Sequence, residues 1–135
     1  MKFLDTNILL YSISGRGEET EKRRRAIALL ETDDCALSVQ VLQEFYVHST
    51  RATRDDAISH ALAAGLIRTW LRFRVQEITL AVMQSALEIK AAHGFSYWDS
   101  AIIAAAGALG CRELMTEGMA HGREIEGLVI VNPFR

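Results

Sequence analysis

The chain contains one proline, two cysteines and no apolar run approaching the ~18 residues that span a bilayer. A single proline excludes a proline-rich linker. Cys35 and Cys111 stand alone without a C-x-x-C pair, which excludes a zinc knuckle and a disulfide framework and predicts two reduced thiols. Neither sign of charge dominates. Lys and Arg number 15 against 17 Asp and Glu, so the net charge is -2 and any contact with nucleic acid must come from a local patch. Internal repeats and low-complexity blocks are absent as well. Met1-Lys2-Phe3-Leu4-Asp5 places a carboxylate where a secretory leader needs its apolar core, so a cytoplasmic protein with no membrane contact is expected.

What remains suits a packed globule. Half of the 135 residues are hydrophobic and 24% are charged, and this length predicts one domain over residues 1–135, since two cores would each lie near the lower limit of size. Strand and helix periods alternate along it. Phe3-Leu4 reads as a short strand that ends at Asp5-Thr6-Asn7, followed by a short helix through Ile8 to Tyr11. A helix from Thr20 turns Ala26, Ile27 and Leu30 inward, and Cys35-Ala36-Leu37 reads as a second strand. Ser38 caps a helix with Val39, Leu42, Phe45 and Tyr46 on its inner face and Glu44 among them. A cap between Thr53 and Asp56 predicts a long helix that buries Ile58, Leu62, Leu66 and Trp70. Val75 to Ile78 alternates as a third strand; Thr79 then caps a helix with Leu80, Met83, Leu87 and Ala91 inward, stopped by Gly94. Ser96 opens an alanine-rich helix, Glu113 to Thr116 reads as a strand, Gly118 and Gly122 bracket a loop, and Leu128 to Val131 reads as a strand buried on both faces. Strands separated by helices predict an α/β fold with a mainly parallel central sheet between helical layers.

In such a sheet, ligands bind beyond the carboxyl ends of the strands. Asp5 follows the first strand, Glu44 lies nearly two turns into the helix after the second, and Asp99 occupies the first turn of the helix from Ser96. All three can meet at one edge. Each also has a plainer role. Asp5 can cap a helix, Glu44 can be a solvated helix residue, and Ser96 to Asp99 has the spacing of a capping box.

Taken in order, Asp5-Thr6-Asn7, Val41-Leu42-Gln43-Glu44-Phe45, Tyr97-Trp98-Asp99 with its alanine-rich continuation, Leu114-Met115-Thr116-Glu117 and the closing Val131-Asn132-Pro133-Phe134 resemble the PIN-domain family. The match is nearest to VapC-like ribonuclease toxins of type II toxin–antitoxin pairs. The resemblance implies a three-layer α/β/α fold and an endoribonuclease using Mg2+, with Mn2+ as substitute, at an acidic edge. It further implies an RNA substrate, a cognate antitoxin docked over that edge, and a homodimer. Asp5, Glu44 and Asp99 match the first three family acids as catalytic and metal-holding residues, with Thr6, Asn7 and Thr116 in support. The fourth acid is missing: its position is Gly118. The neighbouring Glu117 replaces it only if the loop turns there, because adjacent side chains on an extended segment face opposite ways.

The chemistry asks for such groups. A divalent ion lowers the pKa of a bound water and neutralises charge on the transferring phosphoryl, and Mg2+ and Mn2+ prefer hard oxygen ligands. Two carboxylates ~4 Å apart repel by about 4 kcal/mol at an effective dielectric of 20, so three together call for a counter-charge. The RNA backbone calls for cations, and Arg23 and Arg24 in one run and Arg51 and Arg54 in another are the candidates, against the plainer reading of solvated helix faces. Tyr46, Tyr97 and Trp98 can stack bases or sit in the core. Glu44 and His48, four apart, allow a zinc hydrolase reading, but there is no H-E-x-x-H and His60, His93 and His121 fall in no ligand spacing. A receiver domain would need a late-strand lysine that is absent. A binding module of the same fold with weak or no catalysis is the remaining alternative, and Gly118 is its argument.

Overall fold

The computed structural model describes residues Met1–Arg135. Six strands form one sheet in the order β3-β2-β1-β4-β6-β5, all parallel except β5. The chain runs β1 (Lys2–Leu4), α1 (Thr6–Ser12), α2 (Thr20–Leu30), β2 (Cys35–Ser38), α3 (Val39–Ser49), α4 (His60–Trp70) and β3 (Arg74–Gln76). It continues through α5 (Leu80–His93), α6 (Tyr97–Ala108), β4 (Glu113–Met115), β5 (Glu124–Ile125) and β6 (Leu128–Val131). The sheet first grows outward from β1 through β2 to β3, then crosses back to place β4 on the other side of β1. The crossovers leave β1 in opposite directions along the sheet, and the general right-handedness of such connections puts helices on both faces. The reversal also opens a crevice at the carboxyl ends of β1 and β4.

Local chemistry starts the helices where serine, threonine or aspartate precedes an apolar period. Ser38 Oγ accepts from the Val41 amide at 3.3 Å, Thr79 Oγ1 from Val82 at 3.1 Å and Ser96 Oγ from Asp99 at 3.1 Å. Gly94 ends α5 at φ 77, the left-handed conformation that costs glycine least. The core is one cluster of 29 buried side chains, with Phe3, Leu37, Phe45, Leu114 and Ile130 among the fully enclosed. No helix is long and apolar enough to cross a membrane.

Several expectations are corrected by packing. α4 begins at His60 behind a Ser59 cap, not near Thr53 to Asp56, and Ile58 lies outside it. Ala63 and Trp70 are its buried residues while Leu62 is exposed, because Trp70 packs edge-on against Phe45 with ring centres 4.7 Å apart and so sets the helix rotation. On α3 the buried valine is Val41 rather than Val39. On α5 the face of Leu80, Met83 and Leu87 looks to solvent, and Ala86 and Ile89 are the residues buried. α5 is apolar around most of its circumference, so periodicity alone does not choose a face; small side chains let it lie close along the alanine-rich α6. β3 stops at Gln76, leaving Ile78 exposed. Within β6 only Leu128 and Ile130 are buried, so this strand has one core face, not two. The hairpin partner β5 was not expected. Its two-residue turn uses Glu126 at φ 51 and Gly127 at φ 88, the positive angles that a tight hairpin turn demands.

Candidate active site

β1 ends at Leu4 and the chain passes directly into α1, so Asp5 lies over the carboxyl edge of the sheet. Its amide donates to the Met115 carbonyl at 3.0 Å, tying the end of β1 to the end of β4. The residue is only 6% exposed. Oδ1 accepts from the Thr6 amide at 2.6 Å and Oδ2 from the Thr116 hydroxyl at 2.7 Å. Asp5 thus caps α1 with the same side chain that it presents to a cleft at the sheet edge.

Three segments add to it. The Thr6 hydroxyl donates to Glu44 Oε1 at 2.8 Å, fixing the α3 carboxylate beside the start of α1. Asn7 Nδ2 donates to Thr116 Oγ1 at 3.2 Å, and Asn7 Oδ1 accepts from the Glu117 amide at 3.3 Å. Asp99, on the first turn of α6, joins Asp5 and Glu44 along one cleft of about 290 Å³. Burial drives the Asp5 pKa up, the bonds from Thr116 and Thr6 oppose that, and the charges of Glu44 and Asp99 add to the rise, leaving it at about 6 against an ordinary 3.8. Burial also raises Asp99, partly offset by Ser96.

The remaining candidates divide. Glu117 does not line the cleft; it pairs with Lys22 Nζ at 2.6 Å and accepts from the Tyr11 hydroxyl. Tyr11 in turn packs edge-on against Phe134 at 5.0 Å. The contacts of Lys22 and Tyr11 hold the Glu117 pKa below its ordinary value despite partial burial, and they turn it from the place of a fourth ligand. A Cβ at Gly118 would meet only Asn7 Nδ2 and Thr116 Oγ1, each at 3.8 Å, so that position has room. Arg54 lines the cleft, whereas Arg23, Arg24 and Arg51 are exposed outside it, Arg24 being paired with Glu21 one turn away. Trp98 is exposed and Tyr46 bonds His60 at 2.9 Å; neither reaches the cleft. His48 does line it, one turn beyond Glu44, a proximity that their spacing of four on a helix signals. The Lys22 and Tyr11 contacts with Glu117 span about a hundred residues and leave no local signal.

The donor set is chemically that of a hard cation, all carboxylate oxygens with no thiol. No three acid, histidine or cysteine side chains are spaced to hold an ion by themselves. Mg2+ commonly takes one or two carboxylates and fills its shell with water and substrate phosphate, so Asp5 with Glu44 or Asp99 fits that habit.

The profile of the PIN domain family matches residues 2–120. Among solved structures, a chain of a toxin–antitoxin complex from Klebsiella pneumoniae is 21% identical over 98% of each chain, with TM-score 0.73. FitAcB from Neisseria gonorrhoeae is 19% identical over 99% of each, with TM-score 0.70. VapC20 from Mycobacterium tuberculosis, described as a sarcin–ricin loop cleaving toxin, is 21% identical over 84% of this chain and 87% of its own, with TM-score 0.65. At such identities the likeness is one of fold. No curated protein matches the chain in sequence.

Proposed function

Because the chain belongs to the PIN domain family, we propose that it is an endoribonuclease dependent on Mg2+ or Mn2+, acting as the toxin of a toxin–antitoxin pair. Asp5 carries this reading. A cap alone needs no burial beside two further acids, yet Asp5 is nearly enclosed at the switch in strand order and its pKa is lifted to about 6. A carboxylate so placed is costly unless something positive completes it.

The chain's own residues prepare the site. Thr6 and Thr116 fix both oxygens of Asp5, and the Thr6 hydroxyl fixes Glu44, so the carboxylates keep their aim before substrate arrives. Ser96 sets the first turn of α6 and with it Asp99. A bound divalent ion supplies an acidified water and charge neutralisation on the phosphoryl. Leu10 and Ile102 give the cleft apolar walls, which strengthen the field felt by a phosphate there.

Partners follow from the same reading. The Klebsiella neighbour comes from a toxin–antitoxin complex, which supports an antitoxin as partner, and its place over the acidic edge is part of the proposal. The exposed Leu80, Met83, Leu87 and Trp98 provide apolar surface suited to that contact or to a homodimer.

The test is Mn2+-dependent cleavage of structured RNA by the purified chain. Asp5→Asn and Asp99→Asn should each reduce it by at least ~100-fold, the upper end of the ~10–100-fold cost of losing a group that merely orients a metal ligand. Wild-type cleavage that persists in EDTA, or in both variants, would overturn the proposal. The second reading, a binding module without catalysis, draws on Gly118 and on Glu117 being engaged by Lys22. Bound but intact RNA would favour it. Gly118→Asp then decides what the missing acid costs: a Cβ at 118 meets its neighbours at ordinary contact distance, and stronger cleavage or tighter Mn2+ binding is expected, whereas a folded variant without change means that no fourth carboxylate is used.

A further inference from the structure

We propose that Arg54 receives a non-bridging oxygen of the RNA phosphate in the acid cleft and that Asp56 is the positioning residue that aims it. The substrate class rests on the nuclease reading; the geometry does not. Arg54 is the one permanently cationic side chain lining a cleft that also holds Asp5, Glu44 and Asp99. A guanidinium among three carboxylates ordinarily pairs with one of them, since two opposite charges at ~4 Å attract by about 4 kcal/mol at an effective dielectric of 20. Arg54 pairs with none. Its ion pair is with Asp56, outside the cleft, at 2.9 Å from Nε.

Asp56 is held for that purpose from the other side. Its Oδ2 accepts from the Gly15 amide at 2.9 Å, and Arg16 Nε stands 4.0 Å from Oδ1. A Cβ at Gly15 would meet the Asp56 Cβ at 3.3 Å, so the turn before α2 presses closely on this residue. The Gly15 bond, with Arg54 and Arg16 nearby, keeps Asp56 ionised against its partial burial. Arg54 Nε and Asp56 Oδ1 are both buried and not aligned as a hydrogen bond, so the brace is an ionic contact. The two terminal nitrogens of the guanidinium have no acceptor in the chain. A planar fork with free donors, anchored at its rear, matches the paired oxygens of a phosphate. It also eases an electrostatic difficulty: three carboxylates repel the polyanion that the site must admit, and because Arg54 and Arg16 share the one carboxylate of Asp56, the group keeps a net positive charge beside them without cancelling the ligands.

The experiment is equilibrium binding of a fluorescent single-stranded RNA oligonucleotide of mixed sequence to the full chain in EDTA, across a salt series, beside calorimetric titration with Mn2+. Arg54→Gln should lower the slope of log affinity against log salt by about 1, the value of one phosphate contact. Arg54→Lys should keep the slope while raising KM for cleavage more than it lowers kcat. Asp56→Asn should weaken RNA binding in the wild-type background and add nothing in Arg54→Gln, the mark of a residue acting through another. Mn2+ affinity of Arg54→Gln should equal or exceed that of wild type, because a positive charge has left an acidic cleft. An unchanged slope in a folded Arg54→Gln overturns the inference, as does Mn2+ binding lost in parallel with RNA binding, which would make Arg54 a structural prop. The two readings separate cleanly. Cleavage with an unchanged slope removes Arg54 alone; a lowered slope without any cleavage removes the nuclease and leaves the phosphate contact.

Discussion

Asp5 caps a helix and offers a carboxylate to the cleft with one side chain. Capping α1 puts the carboxylate at the sheet edge, and the same bonds from Thr6 and Thr116 that satisfy it also aim it. Its raised pKa has a thermodynamic consequence. The folded form holds a proton up to about pH 6 while the unfolded chain releases it near 3.8, so in metal-free protein the folded state binds more protons across that window. Stability from this group is therefore complete below the lower value and lost as pH rises through the upper one. The loss is about 3 kcal/mol at 1.36 kcal/mol per pKa unit. Urea unfolding in EDTA should show the difference between wild type and Asp5→Asn moving by that amount in favour of asparagine between pH 4 and pH 7. The constant cost of altered hydrogen bonds cancels in this comparison, and a pH-independent difference would mean that Asp5 is well solvated. Mn2+ binding should weaken below about pH 6 for the same reason, as protons compete for the ligand. That Asp5, Glu44 and Asp99 share one cleft was legible in sequence for Asp5 and Asp99, which stand at the starts of α1 and α6, whereas Glu44 lies mid-helix in α3 and has no boundary signal of its own. The fate of Glu117 was not legible: it depends on Lys22 and Tyr11, which only folding brings near.

Helices and strands divide by what determines them. Caps are local, and Ser38, Thr79 and Ser96 were readable because a hydroxyl three residues before a free amide acts within one turn. The buried face of a helix is not local when apolar residues surround it. α5 would bury Leu80, Met83 and Leu87 by period alone, yet Ala86 and Ile89 face the core because small side chains permit close approach to α6. This makes a sharp stability contrast. Ile89, 7% exposed, should cost about 2–5 kcal/mol when truncated to alanine, while Leu87, 52% exposed, should cost within ~0.5 kcal/mol. Chemical denaturation of the two variants as monomers checks it. Equal losses would return α5 to the orientation expected from its sequence.

Taken whole, the molecule has an apolar core from which folding without an ion is expected. Its core is a continuous apolar cluster, and no close set of ligands ties its elements together. Chelation should therefore leave the far-ultraviolet circular dichroism unchanged and lower stability only by ligand linkage, about 2.7 kcal/mol when Mn2+ had been present at 100 times its Kd. Collapse of the spectrum in EDTA would assign the ion a structural role. At this scale the alternation of periods already implied a parallel sheet between helices, since a strand that returns parallel needs a crossover helix. The amino-acid sequence by itself determined the alternation, most of the caps and the placing of Asp5, Glu44 and Asp99 on elements that share one cleft, because these follow from interactions within a turn and from the order of elements along the chain. Tertiary structure alone decided the inward face of α5, the edge hairpin of β5 and β6, the turning of Glu117 toward Lys22 and the bracing of Arg54 by Asp56. These rest on contacts between segments distant in the chain, where packing and long-range charge outweigh local preference.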